Sequence, residues 1–250
     1  MSRSAFDLDG RRAIVTGAGS GIGQAIAVAL AEAGADIVGV GRSAMTKTGA
    51  GVTKAGRDFA TVTADLADMA QVRRVVAQAG SADILINNAG IIRRAEATDF
   101  TEDDWDAVMD VNLKSAFFLA QDFANAALSA GGGRARIVNV ASLLSFQGGI
   151  RVASYTAAKS GLAGITRLLA NEWAGRGINV NAIAPGYVET ENTAALRADP
   201  QRSHDILARI PAGRWAVPDD IAGAAVFLAS PAADYVHGVV LPVDGGWLAR

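Results

Sequence analysis

Short apolar runs alternate with amphipathic stretches along the whole chain. The runs are apolar at nearly every position, as strands are when a sheet is covered on both faces, and the amphipathic stretches have helical spacing. This alternation predicts β-α-β units and a parallel sheet. Predicted strands cover residues 13–16, 36–40, 60–63, 84–87, 136–140, 178–183 and 239–243, and predicted helices cover residues 22–33, 69–79, 102–130, 154–175 and 218–229.

Two segments depart from this alternation. Glycines interrupt residues 43–57, at Gly49, Gly51 and Gly56, so only a short or loose crossover helix is expected there. Residues 187–213 are more polar, and we expect them to form an inserted substrate lid instead of a second domain. The sequence therefore predicts a single α/β domain over residues 1–250.

Composition removes several classes of function. A net charge of −2 gives no electrostatic reason to expect nucleic acid or an anionic membrane as a partner. The chain has no cysteine, and His204 and His237 do not lie at a metal-type spacing, so no metal site is expected. No apolar run approaches the ~20 residues of a membrane span, and the polar start has no signal-type apolar region. A soluble cytoplasmic protein is expected.

Tyr155 and Lys159 lie four residues apart, which places both side chains on one face of a helix. An ammonium beside a phenol favours the phenolate and lowers the phenol pKa, so such a tyrosine can act as a general acid or base. Ser142 follows the apolar run 136–141, and its hydroxyl could reach the same substrate oxygen. By itself, a Tyr-x-x-x-Lys pair on a helix is more often two surface side chains without a catalytic role.

A glycine-rich turn, Thr16-Gly-Ala-Gly-Ser-Gly-Ile-Gly23, follows the first strand and opens the first helix. The G-x-G-x-x-G fingerprint of dinucleotide sites fails in both registers, and the spacing present is Gly17, Gly21 and Gly23. The physical logic is the same, because glycines let the backbone approach a pyrophosphate and a helix N-terminus offers free N–H groups. The turn therefore predicts a nucleotide site.

Several motifs occur together in one chain and in order: the glycine turn, Asn87-Asn-Ala-Gly90, Ser142, Tyr155-x-x-x-Lys159 and Pro185-Gly186. This combination resembles the short-chain dehydrogenase/reductase family over the whole sequence. The resemblance implies a Rossmann-type, doubly wound sheet of seven parallel strands with helices on both faces. It also implies a bound nicotinamide nucleotide, hydride transfer at a carbon bearing oxygen, and a homotetramer built on helices 102–130 and 154–175 and on the C-terminal strand and tail, with Trp247 as an anchor.

The resemblance also implies roles for individual residues. Tyr155 would be the acid or base, Ser142 would orient the substrate oxygen, and Lys159 would bind the nicotinamide ribose and lower the tyrosine pKa. Asn112 would hold a proton-relay water. The implied nucleotide contacts are Gly17, Gly21 and Ile22 at the pyrophosphate, Asp65 and Leu66 at adenine, Asn88, Ala89 and Gly90 at the adenosine ribose, and Pro185, Gly186, Val188 and Thr190 at the nicotinamide.

A closer resemblance lies between these motifs, in segments 91–94, 145–151, 169–173, 210–215 and 243–250. They resemble the family members that act on 2-deoxy-D-gluconate or 2-dehydro-3-deoxy-D-gluconate. An arginine fork suits a carboxylate, so Arg93, Arg94, Gln147 and Arg151 are the candidate substrate residues, Arg151 foremost. Some of these arginines could instead form salt bridges within the lid or between subunits.

Other functions stay open at this stage. Within the enzymes they are a gluconate 5-dehydrogenase, another sugar or polyol dehydrogenase, and a 3-oxoacyl reductase. The polar lid and the loop arginines suit an acyl chain less well. A nucleotide-binding protein without catalysis is the remaining alternative, and the intact Ser142, Tyr155, Lys159 and Asn112 argue against it.

The end of the second predicted strand carries conflicting evidence about the cofactor. An acidic residue there would bind the ribose hydroxyls of NAD and repel a 2′-phosphate, but the position holds Gly41, and Arg42 follows it. These residues favour NADP. Ser20 stands in the glycine turn where relatives that prefer NADP often have a basic residue, and the sugar-acid subgroup is mostly associated with NAD. The sequence leans towards NAD, with NADP or dual use open.

Overall fold

The computed structural model describes residues 4–131 and 133–250, and within them seven parallel strands form one sheet in the order β3-β2-β1-β4-β5-β6-β7. The strands are β1 Arg12–Thr16, β2 Asp36–Gly41, β3 Phe59–Thr63, β4 Ile84–Asn87, β5 Ala135–Val140, β6 Ile178–Pro185 and β7 Val240–Val243. The α-helices are α1 Gly21–Glu32, α2 Thr46–Lys54, α3 Met69–Ala79, α4 Glu102–Met109, α5 Ser115–Ser129, α6 Ala153–Trp173, α7 Ala194–Ala198, α8 Pro200–Leu207 and α9 Pro218–Ala229.

The strand order reverses between β1 and β4, which lie side by side with Ala13 opposite Ile84. In a doubly wound sheet such a reversal opens a crevice at the carboxyl ends of the strands, where ligands bind. The residues that follow β1, β4, β5 and β6 therefore meet at one edge. The predicted doubly wound α/β fold is confirmed.

Alternate strand residues enter two separate apolar layers, which explains why the strands are apolar throughout. Val15 and Ile86 belong to the layer that contains α1 and α9. Ile14 and Leu85 belong to the layer that contains α3, α5 and α6. Both faces of the sheet are covered, so the carboxyl edge is where a ligand has access to these strands. Of the helices that the structure describes, none has the length and apolar character that a membrane crossing requires.

The helix predicted over residues 102–130 is interrupted. A π-helical turn, Asp110–Lys114, separates α4 from α5, and the N–H of Ser115 donates to the carbonyl of Asp110. Asn112 lies in this turn, and its side chain hydrogen-bonds the backbone of Ile91 in both directions. The interruption thus brings a polar side chain of the helix to the loop that follows β4.

The segment expected to be weak forms the nine-residue helix α2. Its glycines allow close packing: a Cβ on Gly49 would lie 2.9 Å from Cδ1 of Phe59, and one on Gly51 would lie 2.7 Å from Cγ2 of Val28. The prediction of a short helix is correct, but the glycines serve to seat it against β3 and α1.

Residues 187–213, which we call the lid segment, contain the 3₁₀ turn Glu191–Thr193 followed by α7 and α8. Ile206 and Ile210 of this segment pack in a small apolar cluster with Leu143, Trp215 and Trp247. This cluster attaches the lid segment to the turn after β5 and to the C-terminal tail. The lid segment therefore borders the carboxyl edge of the sheet.

Candidate active site

Ser142 and Tyr155 meet beyond the end of β5. Ser142 begins a 3₁₀ turn, and its Oγ accepts a hydrogen bond of 3.2 Å from the N–H of Leu144. Tyr155 lies in the first turn of α6, close enough to Ser142 for the serine hydroxyl to lower the pKa of the phenol. The two hydroxyls that the sequence predicted to act on one substrate oxygen are thus adjacent.

Lys159 lies one turn further along α6 and is only 3% exposed. Its Nζ donates to the carbonyl of Val140 at 2.6 Å and lies 5.6 Å from the centroid of the Tyr155 ring. Burial lowers the pKa of Lys159 from 10.5 to about 8. An ammonium with one protein acceptor retains free N–H donors for a ligand hydroxyl.

The prediction that Lys159 lowers the tyrosine pKa is not confirmed in this structure. Burial raises the pKa of Tyr155 above its usual value, and the hydrogen bond with Ser142 and the charge of Arg94 act in the opposite direction. Burial has the larger effect, because it removes water from the charged form of the phenol. Without a ligand, the hydroxyl therefore holds its proton at neutral pH.

Asn112 is buried, and both polar atoms of its amide bond the loop after β4. Oδ1 accepts from the N–H of Ile91 at 2.8 Å, and Nδ2 donates to the carbonyl of Ile91 at 2.9 Å. A Cβ added to Gly90 would lie 3.4 Å from Oδ1 of Asn112. The side chain therefore fixes the position of the loop.

The glycine-rich turn has the backbone geometry of a phosphate cradle. Gly17 and Gly21 have φ angles of +66° and +52°, which favour glycine. A Cβ on Gly23 would lie 2.2 Å from the carbonyl oxygen of Gly17. Nδ2 of Asn88 donates to the carbonyl of Thr16 at 2.9 Å and to that of Gly17 at 3.4 Å. These residues fit a nicotinamide nucleotide, whose pyrophosphate the turn could approach closely.

Other predicted nucleotide residues border this turn. Ser20 is exposed at the N-cap of α1 and makes no side-chain cap. Ile22 is half-buried against the α1/α9 layer. The N–H of Ala89 donates to Oγ1 of Thr16 at 3.0 Å, which ties the end of β4 to the end of β1.

The turn after β6 approaches the same crevice. Gly186 follows Pro185, and a Cβ on Gly186 would lie 2.7 Å from Cα of Asp244, so only glycine fits. Val188 is buried and forms an isolated bridge with Ala216. Cγ2 of Thr190 would lie 3.4 Å from a Cβ on Gly21, so the start of the lid segment covers the phosphate cradle.

The residues expected near the adenine and near the ribose 2′ position follow the strands β3 and β2. Asp65 is half-buried, and its Oδ1 accepts from the N–H of Ala67 at 3.0 Å. The Leu66 side chain is buried in the α3/α5/α6 layer, so any contact with adenine would come from its backbone. Arg42 is exposed just beyond the end of β2. A Cβ on Gly41 would lie 3.0 Å from Cε of Met45, a neighbour that sequence reasoning missed.

The candidate substrate residues divide into two groups. Nε of Arg93 pairs with Asp104 at 3.1 Å, and Nε of Arg151 pairs with Glu96 at 3.2 Å. Arg151, the favoured candidate, is thus already engaged with a carboxylate. Nη2 of Arg94 instead donates to the carbonyl of Asn192 in the lid segment at 2.8 Å.

The C-terminal tail contributes to the site by positioning Gln147. Oε1 of Gln147 accepts from Nε1 of Trp247 at 3.2 Å. The guanidinium of Arg209 lies 4.0 Å from the Trp247 ring, which is only 4% exposed. Trp247 is therefore anchored within its own chain, and its role as an anchor between subunits stays a prediction.

A buried polar chain beneath the site escaped sequence reasoning. Nδ2 of Asn87 donates to Oδ1 of Asn139, and Nδ2 of Asn139 donates to Oγ1 of Thr166 at 2.9 Å. The chain joins β4, β5 and α6, so it fixes the helix that bears Tyr155 relative to the central strands. The available signal was an asparagine in each of two apolar runs, residues 84–87 and 137–140. In the part of the chain described, no group of three or more His, Cys, Asp or Glu side chains could hold a metal ion.

Known proteins match this chain over its full length. The family model described as enoyl-(acyl carrier protein) reductase, of the short-chain dehydrogenase type, matches residues 17–248. The 2-dehydro-3-deoxy-D-gluconate 5-dehydrogenase of Escherichia coli is 57% identical over 254 residues, which cover 100% of both chains.

Solved structures agree with this match. One is an Agrobacterium tumefaciens protein with bound NADP, provisionally assigned as a 2-deoxy-D-gluconate 3-dehydrogenase; it is 60% identical, with a TM-score of 0.96 over 99% of this chain and 100% of that one. Another, from Beutenbergia cavernae, is provisionally assigned as an NAD(P)-dependent gluconate 5-dehydrogenase and holds NADP at low occupancy; it is 53% identical, with a TM-score of 0.95 over 99% and 100%. With the Ser-Tyr-Lys geometry and the glycine cradle, these matches establish that the chain belongs to the short-chain dehydrogenase/reductase family.

Proposed function

We propose that this protein is a dehydrogenase that interconverts a secondary alcohol and a ketone on a six-carbon deoxy sugar acid, of the 2-dehydro-3-deoxy-D-gluconate or 2-deoxy-D-gluconate type. The observation that carries the proposal is the meeting of Ser142, Tyr155 and Lys159 at the carboxyl edge of the sheet, the edge that also carries the glycine cradle. The E. coli relative, whose name states the first of these substrates, supports the choice of substrate class.

Ser142 and Tyr155 would handle the proton of the reaction. In the direction of reduction, the Tyr155 hydroxyl donates its proton to the carbonyl oxygen, which the Ser142 hydroxyl orients. In oxidation, the phenolate accepts the proton of the substrate hydroxyl. A nicotinamide nucleotide supplies or accepts the hydride when it is bound. Lys159 would hold the nucleotide ribose through its free N–H donors.

NADP is the nucleotide that the end of β2 favours. Gly41 presents no carboxylate to repel a 2′-phosphate, and the Arg42 guanidinium is exposed, with no ion pair among the described residues. Both solved relatives described above hold NADP. The lean towards NAD, drawn from the subgroup, finds no support in them. We therefore propose NADP(H) as the better cofactor, with NAD(H) as the alternative.

Initial rates of the purified protein test the substrate and the cofactor together. The substrates are 2-deoxy-D-gluconate, 2-dehydro-3-deoxy-D-gluconate, gluconate and an acetoacetyl thioester, each with NAD(H) and NADP(H). Activity confined to the deoxy sugar acids supports the proposal, whereas a preference for gluconate supports the gluconate 5-dehydrogenase alternative. Activity on none of them, with nucleotide still bound, refutes the substrate.

Two variants test the assigned roles. Tyr155→Phe should lower kcat by at least about a thousandfold and leave the nucleotide affinity nearly unchanged, since only the proton donor is lost. Arg42→Asp should weaken NADP use far more than NAD use, because it places a carboxylate near the 2′ position. Retained turnover in the first variant, or equal losses for both nucleotides in the second, contradicts the role concerned.

A cytoplasmic homotetramer and a lid role for residues 187–213 remain part of the proposal. Exposed apolar side chains support the association of subunits: Trp105 of α4 is 40% exposed and Leu168 of α6 is 50% exposed. Light scattering on the purified protein measures the oligomeric state. The contact of Thr190 with the cradle supports the lid.

A further inference from the structure

Three arginines are candidate substrate residues, and their ion pairs distinguish them. Arg93 and Arg151 each have a carboxylate partner, at 3.1 and 3.2 Å. Arg94 has none among the described residues; its one hydrogen bond is to a neutral carbonyl. A guanidinium next to an active site without an acidic partner is available to an anionic ligand.

We propose that Arg94 binds the carboxylate of the substrate and, through the same guanidinium, ties the lid segment to the bound acid. The proposal rests on the proposed function, which it deepens by naming the residue that selects acids over neutral sugars. Arg94 would thereby become a specificity-determining residue, and Arg151 would instead support the loop between Ser142 and Tyr155.

The position of Arg94 supports both parts of this role. Its Nη2 reaches the carbonyl of Asn192, in the 3₁₀ turn that begins at Glu191. Two residues earlier in the lid segment, Thr190 lies over Gly21 of the phosphate cradle. Arg94 therefore bridges the loop after β4 and the part of the lid segment that covers the nucleotide site.

Arg94 also acts on the proposed proton donor. Its positive charge lowers the pKa of Tyr155, against the effect of burial. Of the three candidate arginines, Arg94 is the one whose charge acts on this phenol. The side chains that face this phenol are Ser142, Lys159 and Arg94.

The chemistry of the fork explains how one side chain can hold both partners. With Nη2 donating to Asn192, Nε and Nη1 of Arg94 have no partner among the described residues. Nη2 carries two N–H bonds, and the hydrogen bond to Asn192 uses one of them; the other lies parallel to an N–H of Nε or of Nη1, and such a pair is the arrangement that a carboxylate accepts in a bidentate manner. A neutral polyol would leave this edge unpaired, so discrimination should come mainly through KM.

The test compares an acid with its neutral counterpart, using 2-deoxy-D-gluconate and 2-deoxy-D-glucitol with saturating nucleotide. Arg94→Met should lower kcat/KM on the acid by about a hundredfold, mostly through KM, and change that on the polyol by less than about threefold. Arg94→Lys retains the charge without the bidentate geometry, so its kcat/KM on the acid should lie between those of the wild type and of Arg94→Met. Where the polyol gives no measurable rate, inhibition constants of the two compounds provide the same comparison.

Arg93→Met and Arg151→Met are the matched controls, because their guanidinium groups are ion-paired and exposed. Neither should lose selectivity for the acid, and nucleotide affinity should be unchanged in all variants that fold. An acid-selective loss in Arg151→Met, or none in Arg94→Met, overturns the proposal about Arg94. A wild-type enzyme inactive on both 2-deoxy-D-gluconate and 2-dehydro-3-deoxy-D-gluconate instead refutes the proposed function itself.

Discussion

Lys159 should make the stability of the ligand-free protein depend on pH. Its pKa falls from 10.5 in the unfolded chain to about 8 in the fold, because burial disfavours the ammonium. Between these values the unfolded chain binds more protons than the folded one. The free energy of unfolding therefore rises with pH across this window, and the cost of the buried charge is fully present below it.

The size of the effect follows from the shift. One pKa unit corresponds to about 1.4 kcal/mol, so the buried ammonium costs roughly 3 kcal/mol at neutral pH. Between pH values of about 7.5 and about 9.5, roughly 2 kcal/mol of that should be recovered. Tyr155 and Tyr187, whose pKa values burial raises above 10.0, affect stability only at higher pH.

The assay is urea unfolding of the wild type and of Lys159→Met at both pH values and at equal subunit concentration. The variant also loses the hydrogen bond to Val140, but that loss cancels when each protein is compared with itself. The wild type should gain about 2 kcal/mol more than the variant as pH rises. Lys114→Met is the control, since Lys114 is 50% exposed and should not alter the pH dependence. An equal gain in wild type and Lys159→Met would refute the reasoning.

Three other changes have defined outcomes. Gly23→Ala should weaken nucleotide binding at least tenfold, on the order of 1–3 kcal/mol, because its Cβ would lie 2.2 Å from the Gly17 carbonyl; Gly164→Ala, with no atom within 4 Å, should bind normally in the same titration. Arg151 has a φ of +64°, so thermal melts should show Arg151→Gly more stable than Arg151→Ala by about 1 kcal/mol. Because burial raises the Tyr155 pKa, kcat/KM for oxidation should rise with pH through the neutral range; a flat pH–rate profile would contradict this.

The elements that sequence predicted best are those whose boundaries depend on local signals. The helices 69–79 and 218–229 and the strand 84–87 match the structure residue for residue. Asp68 caps the first of these helices by accepting from the N–H of Ala70, and Pro218 opens the second. Caps and helix-initiating prolines act on neighbouring residues, so their effect can be read from a short window.

The interruption at Asn112 could not be predicted in this way. Its cause is a pair of hydrogen bonds to Ile91, which is 21 residues earlier in the chain. Cause and effect are also far apart in sequence for the candidate substrate arginine Arg151. Arg151 was the favoured candidate because it closely precedes Tyr155 in the sequence. The fold brings Glu96 within 3.2 Å of Arg151, and the two side chains form an ion pair.

The tyrosine pKa shows why a motif identifies the reacting group without fixing its state. The spacing of Tyr155 and Lys159 places them on one helix face, as predicted, yet the ammonium is drawn to the carbonyl of Val140 and is itself destabilised by burial. A ligand that offers acceptors to this ammonium would offset that burial, raise the lysine pKa and bring its charge to bear on the phenol. A buried lysine that destabilises the empty protein is therefore best explained by the nucleotide, since the fold alone would be more stable without its charge.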